Sequence, residues 1–323
     1  MCIRDSLFGF FSVFNSDAIK DVSMYKGGIP ARYGGRLSSV LDISMKEGNM
    51  KDSHGIFSIS PVSARMTYEA PLKKDTAAFI VSLRRTLLDI PMFLYQIAIE
   101  RDGNYGYYFY DFNAKTNWII NNRNRVYLSF YSGKDSQYNN DNREGTNSKF
   151  RYNWGNITSV FRWNHIFSPK LFSNISAYYS QYQLNNLGRS GSGEQKVVFR
   201  ATSDMQDLTL KADFDWYLSP TYTIRFGGKA SHMQFAPNIV QMKGIDTDIL
   251  LNEEQKNNSA HFEYFAENNL KAGKFNLNLG IRGATYITGE KTYNHFEPRA
   301  ALKFRSHTGF SANASYTQMT QFI

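Results

Sequence analysis

From about residue 54 onward the chain alternates apolar and polar residues with a period of two, the spacing that sends successive side chains to opposite faces of a strand. Leu208, Leu210, Ala212, Phe214, Trp216 and Leu218 fall on one face, and Asp207, Thr209, Lys211, Asp213, Asp215 and Tyr217 on the other. The pattern returns as Tyr222, Ile224, Phe226 and Ala230 against Thr223, Arg225, Lys229 and Ser231. It returns again as Phe275, Leu277, Leu279 and Ile281 against Asn276, Asn278 and Arg282, and as Tyr110, Phe112, Ala114, Trp118 and Ile120 against Asp111, Asn113, Lys115 and Asn117. The runs predict strands of about 12 to 16 residues, beyond the usual 3–10 of soluble sheets and long enough to cross a bilayer at a tilt.

The connections between these strands alternate in length. Short turns are expected at 72–75, 121–124, 168–170, 219–220, 272–274 and 306–308, and longer loops at 87–104, 134–149, 185–203 and 237–258, with a shorter one near 289–293. Tight turns at one end and long loops at the other are the plan of an outer-membrane barrel, with turns periplasmic and loops outside. A soluble β-sandwich also alternates, but it does not normally pair such long strands with loop lengths this one-sided. Counting gives about thirteen strands, an odd number that leaves open edges, and open edges in lipid strand backbone polar groups without partners. The expected fold class is all-β, a transmembrane antiparallel β-barrel of the 22-stranded type, incomplete here and followed by more chain.

Composition sharpens this picture. The 323 residues include 25 Phe, 21 Tyr and 4 Trp, yet the mean hydropathy is −0.46, so apolar and polar positions are finely interleaved. The longest apolar stretch, 87–99, is broken by Asp89, Pro91 and Gln96, and nothing approaches the 18 or so apolar residues of a spanning helix. The formal net charge of +9 comes from Lys and Arg scattered among 28 acidic residues with no basic run, which argues against a nucleic-acid partner. The one cysteine, Cys2, rules out a disulfide framework and a cysteine metal site over the rest of the chain. The opening "MCIRDS" reads as a non-native leader over residues 1–6, and "ASYTQMTQFI" stops within an alternating run, so both ends are expected to be cut.

No catalytic, cofactor or metal constellation emerges. His54, His165, His232, His261, His295 and His307 lie far apart without ligand spacing. "GRSGSG" (188–193) lacks the lysine and following helix of a phosphate loop, and "DSQYNNDNREG" (135–145) lacks the ligand spacing of a helix-loop-helix calcium site. The polar strand positions Asp213, Asp215, Arg225, Lys229, Glu263, Glu267, Arg282, Glu297, Arg299 and Lys303 mix both charge signs, which suits a solvated lumen wall better than paired acid–base carboxylates. The aromatic clusters at 105–112 and 177–182 are expected to form interfacial girdles, with ligand stacking as the alternative. The chain is read as not an enzyme, with no cofactor and no metal.

One stretch stands apart: "YKGGIPARYGGRLSSVLDIS", residues 25–44. A barrel wider than about eight strands leaves a lumen that side chains cannot fill, and the 22-stranded transporters plug it. Gly27, Gly28, Gly34 and Gly35 permit positive φ and close backbone approach, and Pro30 and Tyr33 complete a turn motif suited to a folded plug loop. Residues 15–49 resemble the end of the plug domain of TonB-dependent outer-membrane transporters. The resemblance is carried by Ile19, Val22, Tyr25, Lys26 and Gly27, then Pro30, Ala31, Tyr33, Gly34 and Gly35, then Ser38, Val40, Leu41, Asp42 and Ile43. The wording "GGIPARYGGRLSSVLDI" is most like the subset with an additional N-terminal β-sandwich.

The resemblance implies the C-terminal part of a plug over 7–50 and a partial barrel over 51–323. It implies energised uptake of a siderophore, cobalamin, oligosaccharide or peptide, with the TonB complex acting through an upstream segment. Outer-membrane lipid, a small-molecule or oligomeric nutrient and a surface lipoprotein are the implied partners. A passive or structural outer-membrane barrel and a soluble β-rich carbohydrate-binding protein are the competing readings.

Overall fold

The computed structural model describes residues 15–142, 147–192, 195–243, 248–251, 256–306 and 309–322. A 3-10 turn (Ser16–Ala18) leads into β1 (Ile19–Tyr25), which pairs antiparallel with β2 (Val40–Met45) in a two-stranded sheet of its own. The second sheet begins with β3 (His54–Ile59), β4 (Ser63–Lys73) and β5 (Ala77–Thr86). Helix α1 (Asp89–Ala98) then precedes β6 (Gly103–Asn121), β7 (Asn124–Asp141), β8 (Asn147–Ser168), β9 (Leu171–Ser192) and β10 (Gln195–Ser219). The chain continues through β11 (Tyr222–Lys243), β12 (Asp248–Leu251), β13 (Asn257–Ala272), β14 (Phe275–Thr288), β15 (Lys291–Arg305) and β16 (Ser311–Thr317). Apart from short β12, which pairs beside β11, each strand neighbours the next in sequence, so the 14-stranded sheet is an antiparallel meander with β3 and β16 at its two ends.

The sheet is inside out relative to a water-soluble protein. Leu208 and Leu210 are 58% and 61% exposed, while Thr209 between them is 0% exposed. Glu267 and Glu297 are each 1% exposed, and Asp111, Asn113, Asn117, Arg282 and Arg299 are also buried. Burying carboxylates while leaving large apolar side chains bare costs free energy in water on both counts. The arrangement is favourable only where the apolar face meets hydrocarbon and the polar face meets water or other polar groups.

The polar face is the concave one. Residues 15–47 touch it at strands as far apart as β4 and β15, ten places along the sheet order. At one end Asn15 Nδ2 donates to Ser82 Oγ on β5 (2.5 Å) and Asp17 pairs with Arg65 on β4 (3.0 Å). Lys115 Nζ on β6 donates to the Met45 carbonyl (3.2 Å), and Asn117 donates to the carbonyl of Glu47. At the other end the turn after β1 reaches β10 to β15. A sheet that meets one short segment at both ends of this span must curl around it.

Among the described residues the expected tight turns lie at one edge of the sheet, with Asp75 (φ 56°) and Gly273 (φ 54°) supplying left-handed positions. The expected long loops are a different matter. Most of 134–149 and 185–203 is strand: β7 pairs with β8 as far as Asp141↔Ser148, and β9 with β10 as far as Ser192↔Gln195. Above the lipid both faces of a hairpin meet water, so the ladder continues without the alternation that reveals it in sequence. The interval 87–104 holds α1 rather than an irregular loop. The aromatic cluster at 105–112 divides by parity: Tyr108 and Tyr110 stand on the outward face, whereas Tyr107 and Phe109 turn inward beside Trp154 and Arg84. Residues 143–145, 193 and 307–308 of the motifs above, and His307, lie outside the described residues.

Candidate functional site

The glycine-rich turn, residues 27–35, is seated in a charged cradle made by five strands. Tyr33 N donates to the Pro30 carbonyl (3.0 Å), closing a β-turn whose peptide groups would otherwise lack partners inside the sheet. The cradle supplies them. Ala31 N donates to Glu267 Oε2 on β13 (2.8 Å), and Arg282 Nη1 on β14 donates to the Ala31 carbonyl (3.1 Å). Arg299 Nη1 on β15 reaches the carbonyls of Ile29 (3.3 Å), Pro30 (2.7 Å) and Tyr33 (2.5 Å). The turn's own charge, Arg32, meets Asp215 on β10 at 3.0 Å.

Beneath the turn the cradle residues neutralise one another. Arg225 bridges Asp215 (2.9 Å) and Glu267 (3.3 Å). Glu263 collects Lys229 (3.3 Å), His261 (3.2 Å) and Arg282. Arg299 Nη2 pairs with Glu297 Oε2 (2.7 Å). A planar guanidinium suits such a junction, because its fork can hold a carboxylate with one arm and backbone carbonyls with the other. These contacts leave Asp215 engaged in ion pairs and Asp213 paired with Lys211 (2.7 Å), so neither is poised as a free acid or base.

The turn-motif glycines do different jobs. Gly28 (φ 59°) and Gly35 (φ 78°) occupy the left-handed region. Gly34 has ordinary φ, but a Cβ there would run into the guanidinium of Arg282. Gly27 meets only Ser315 Oγ, at 3.8 Å from an added Cβ, and requires neither. Tyr33 packs on Tyr25 with ring centroids 5.5 Å apart and donates its hydroxyl to Asp42 Oδ2 (2.7 Å), tying the turn back to β2. Burial and the Asp42 carboxylate push the Tyr33 phenol well above the ordinary tyrosine range, so it remains a donor.

Sequence reasoning placed Arg225, Glu263, Glu267, Arg282, Glu297 and Arg299 on one inner face. It did not say which of them hold the turn. Lys303, from the same set, is exposed and takes no part. Arg32 was missed as the turn's anchor, although it was the one charged side chain between the two glycine pairs. Among the described residues no cluster of His, Cys, Asp or Glu has the arrangement of a metal site, and no helix is long and apolar enough to cross a membrane.

No family model and no curated protein matches the chain by sequence. Solved structures do match it by shape. The siderophore receptor PirA from Acinetobacter baumannii aligns with 95% of this chain and 48% of its own, at 17% identity and a TM-score of 0.65. The ferric-catecholate import receptor Fiu from E. coli K12 aligns with 94% of this chain and 60% of its own, at 13% identity and a TM-score of 0.68. The FrpB iron transporter from Neisseria meningitidis (F3-3 variant) aligns with 94% of this chain and 52% of its own, at 13% identity and a TM-score of 0.64. The chain spans about half the length of the solved structures it matches. Its curved, inside-out meander with a segment docked in the concavity is the fold of the TonB-dependent receptors.

Proposed function

We propose that this chain is part of an outer-membrane receptor that takes up a scarce nutrient in an energised manner. In this reading residues 7–50 are the end of a plug and residues 51–323 are barrel wall. Gly27, Gly28, Pro30, Tyr33, Gly34 and Gly35 form the turn that seats the plug. The observation that carries the proposal is the seat itself. The turn is held by charge-assisted hydrogen bonds and ion pairs on a wall that can be rewetted, rather than by an apolar core that would resist separation.

Such a contact is firm at rest and can be parted by a directed pull, because water replaces each lost hydrogen bond as the segment leaves. The pull is assigned to TonB acting upstream. The cargo class is a ferric siderophore, cobalamin, an oligosaccharide or a peptide, and because the structural neighbours are named as siderophore and iron receptors a ferric siderophore is the first to try. No bond of the cargo is made or broken.

The test is uptake by cells carrying the intact receptor, supplied with radiolabelled ferric siderophores. Saturable uptake that stops when the proton gradient is dissipated or TonB is removed supports the proposal. Entry that is linear in concentration and indifferent to both would make this a passive pore.

A further inference from the structure

Helix α1 is nearly all apolar: of DIPMFLYQIA only Asp89 and Gln96 are polar. Gln96 is buried and occupied. It mends the edge of β6, where β5 has already ended: its side chain accepts from Tyr105 N (2.7 Å) and donates to the Tyr105 carbonyl (2.7 Å), while Thr86 Oγ1 accepts from Phe109 N (2.8 Å). Phe93, Leu94, Tyr95 and Ile97, by contrast, are each at least half exposed, Leu94 by 60%.

The helix stands on the outward side of the sheet. Arg85, opposite outward-facing Tyr110, pairs with Asp89 at the helix start (2.7 Å) and lies over the Tyr108 ring. Further along, Phe93 and Ile97 wall an open groove of about 370 Å³ against Asn104, Asn140 and Lys149, which share a register row. Asn104 has the parity of Tyr108, Tyr110 and Trp118, not that of inward Asp111 and Lys115, and no register shift intervenes. Glu100, Arg101 and Lys149 also line the groove. Below the helix start the same outward face continues without a break into exposed Leu83, Tyr110 and Trp118, then Ile120. A helix tied to the sheet through Gln96 and Asp89, with most of its other side chains bare at the aromatic rim of a lipid-facing belt, presents apolar surface at the depth of a membrane interface.

We infer that α1 is a membrane-interface anchor that lies in the headgroup and upper acyl region of the outer leaflet and fixes the depth of the β5–β6 edge. The inference rests on the outer-membrane reading above, and the experiment separates the two. In the intact receptor on a background from which any native cysteine has been replaced by serine, spin labels are attached at Leu94→Cys and Ile97→Cys, and at Leu210→Cys in the belt, in vesicles of phosphatidylethanolamine and phosphatidylglycerol. All three positions are exposed, so the labels disturb no packing. The expected result is that labels at 94 and 97 collide with oxygen in preference to a water-soluble nickel chelate, with a ratio within about three-fold of that at 210. Preference for the chelate at 94 and 97 alone would overturn the anchor and leave the barrel standing. Low collision with both reagents at 94 and 97 would mean that protein covers α1, and would overturn it too. Preference for the chelate at all three positions would remove the membrane barrel itself.

Discussion

Arg299 concentrates the logic of the seat in one side chain. It is buried, one arm holds Glu297, and the other gathers three turn carbonyls. Truncating Arg299→Ala would leave the Glu297 carboxylate buried beside the more distant Arg282 (3.8 Å) and would take this donor from the Ile29 and Tyr33 carbonyls, while the Pro30 carbonyl keeps Tyr33 N. Removing one partner of a buried pair costs about 3–5 kcal/mol. Arg299→Lys keeps the charge but not the fork, so its loss should be smaller. Urea unfolding of the intact receptor in micelles ranks the two. Equal losses would mean that charge alone holds the turn. At Gly34 the expectation is steric: Gly34→Ala thrusts a methyl into the Arg282 guanidinium and should cost about 1–3 kcal/mol, as overpacking does. Cleavage by added protease within residues 27–35 should rise in step, and unchanged cleavage would show that Arg282 moves aside freely.

At the scale of the strand, the outward row of β10 makes the membrane claim quantitative. Leu208, Leu210 and Trp216 are exposed, and above them Gln206 and Asp204 share a polar cluster with Gln181 and Gln183 where the belt ends. Within lipid, Leu210→Lys should cost about 2–4 kcal/mol. In a water-soluble sheet the same change at a bare leucine would fall within about ±0.5 kcal/mol. The urea midpoint in vesicles decides between them. The strands themselves were legible because two unlike solvents wrote a period of two into each. Their upper halves were not, since residues such as Asn185 and Asn186 stand beyond the apolar belt, where neither face needs to be apolar, and carry no such record. Helix α1 was hidden for a related reason: Pro91 and Asp89 look like breaks in an apolar run, but they sit in its first turn, where an acid favours the helix dipole and proline lacks only an N–H that has no partner there.

Across the whole molecule, what joins the docked segment to the sheet is mostly charge and hydrogen bonding, so the two should come apart separately. That a turn falls here could be anticipated from Gly27, Gly28, Pro30, Tyr33, Gly34 and Gly35. Its partners could not, because Asp215, Glu267, Arg282 and Arg299 are brought together by strand order and register, which local sequence does not encode. Neutralising the two carboxylates that hold the turn's Arg32 and Ala31 N–H, with Asp215→Asn and Glu267→Gln together, weakens hydrogen bonds to charged groups worth about 1.5–3 kcal/mol each. The ladder hydrogen bonds of β10, β11 and β13 remain. Hydrogen exchange should therefore quicken by roughly 100-fold at the amides of residues 29–35, since each 1.4 kcal/mol is about tenfold, while the strand amides stay protected. Exchange that quickens in strands and turn together would make them one cooperative unit. A segment fused to its wall in that way could not be drawn out without unfolding the barrel, and the proposed route for cargo would close with it.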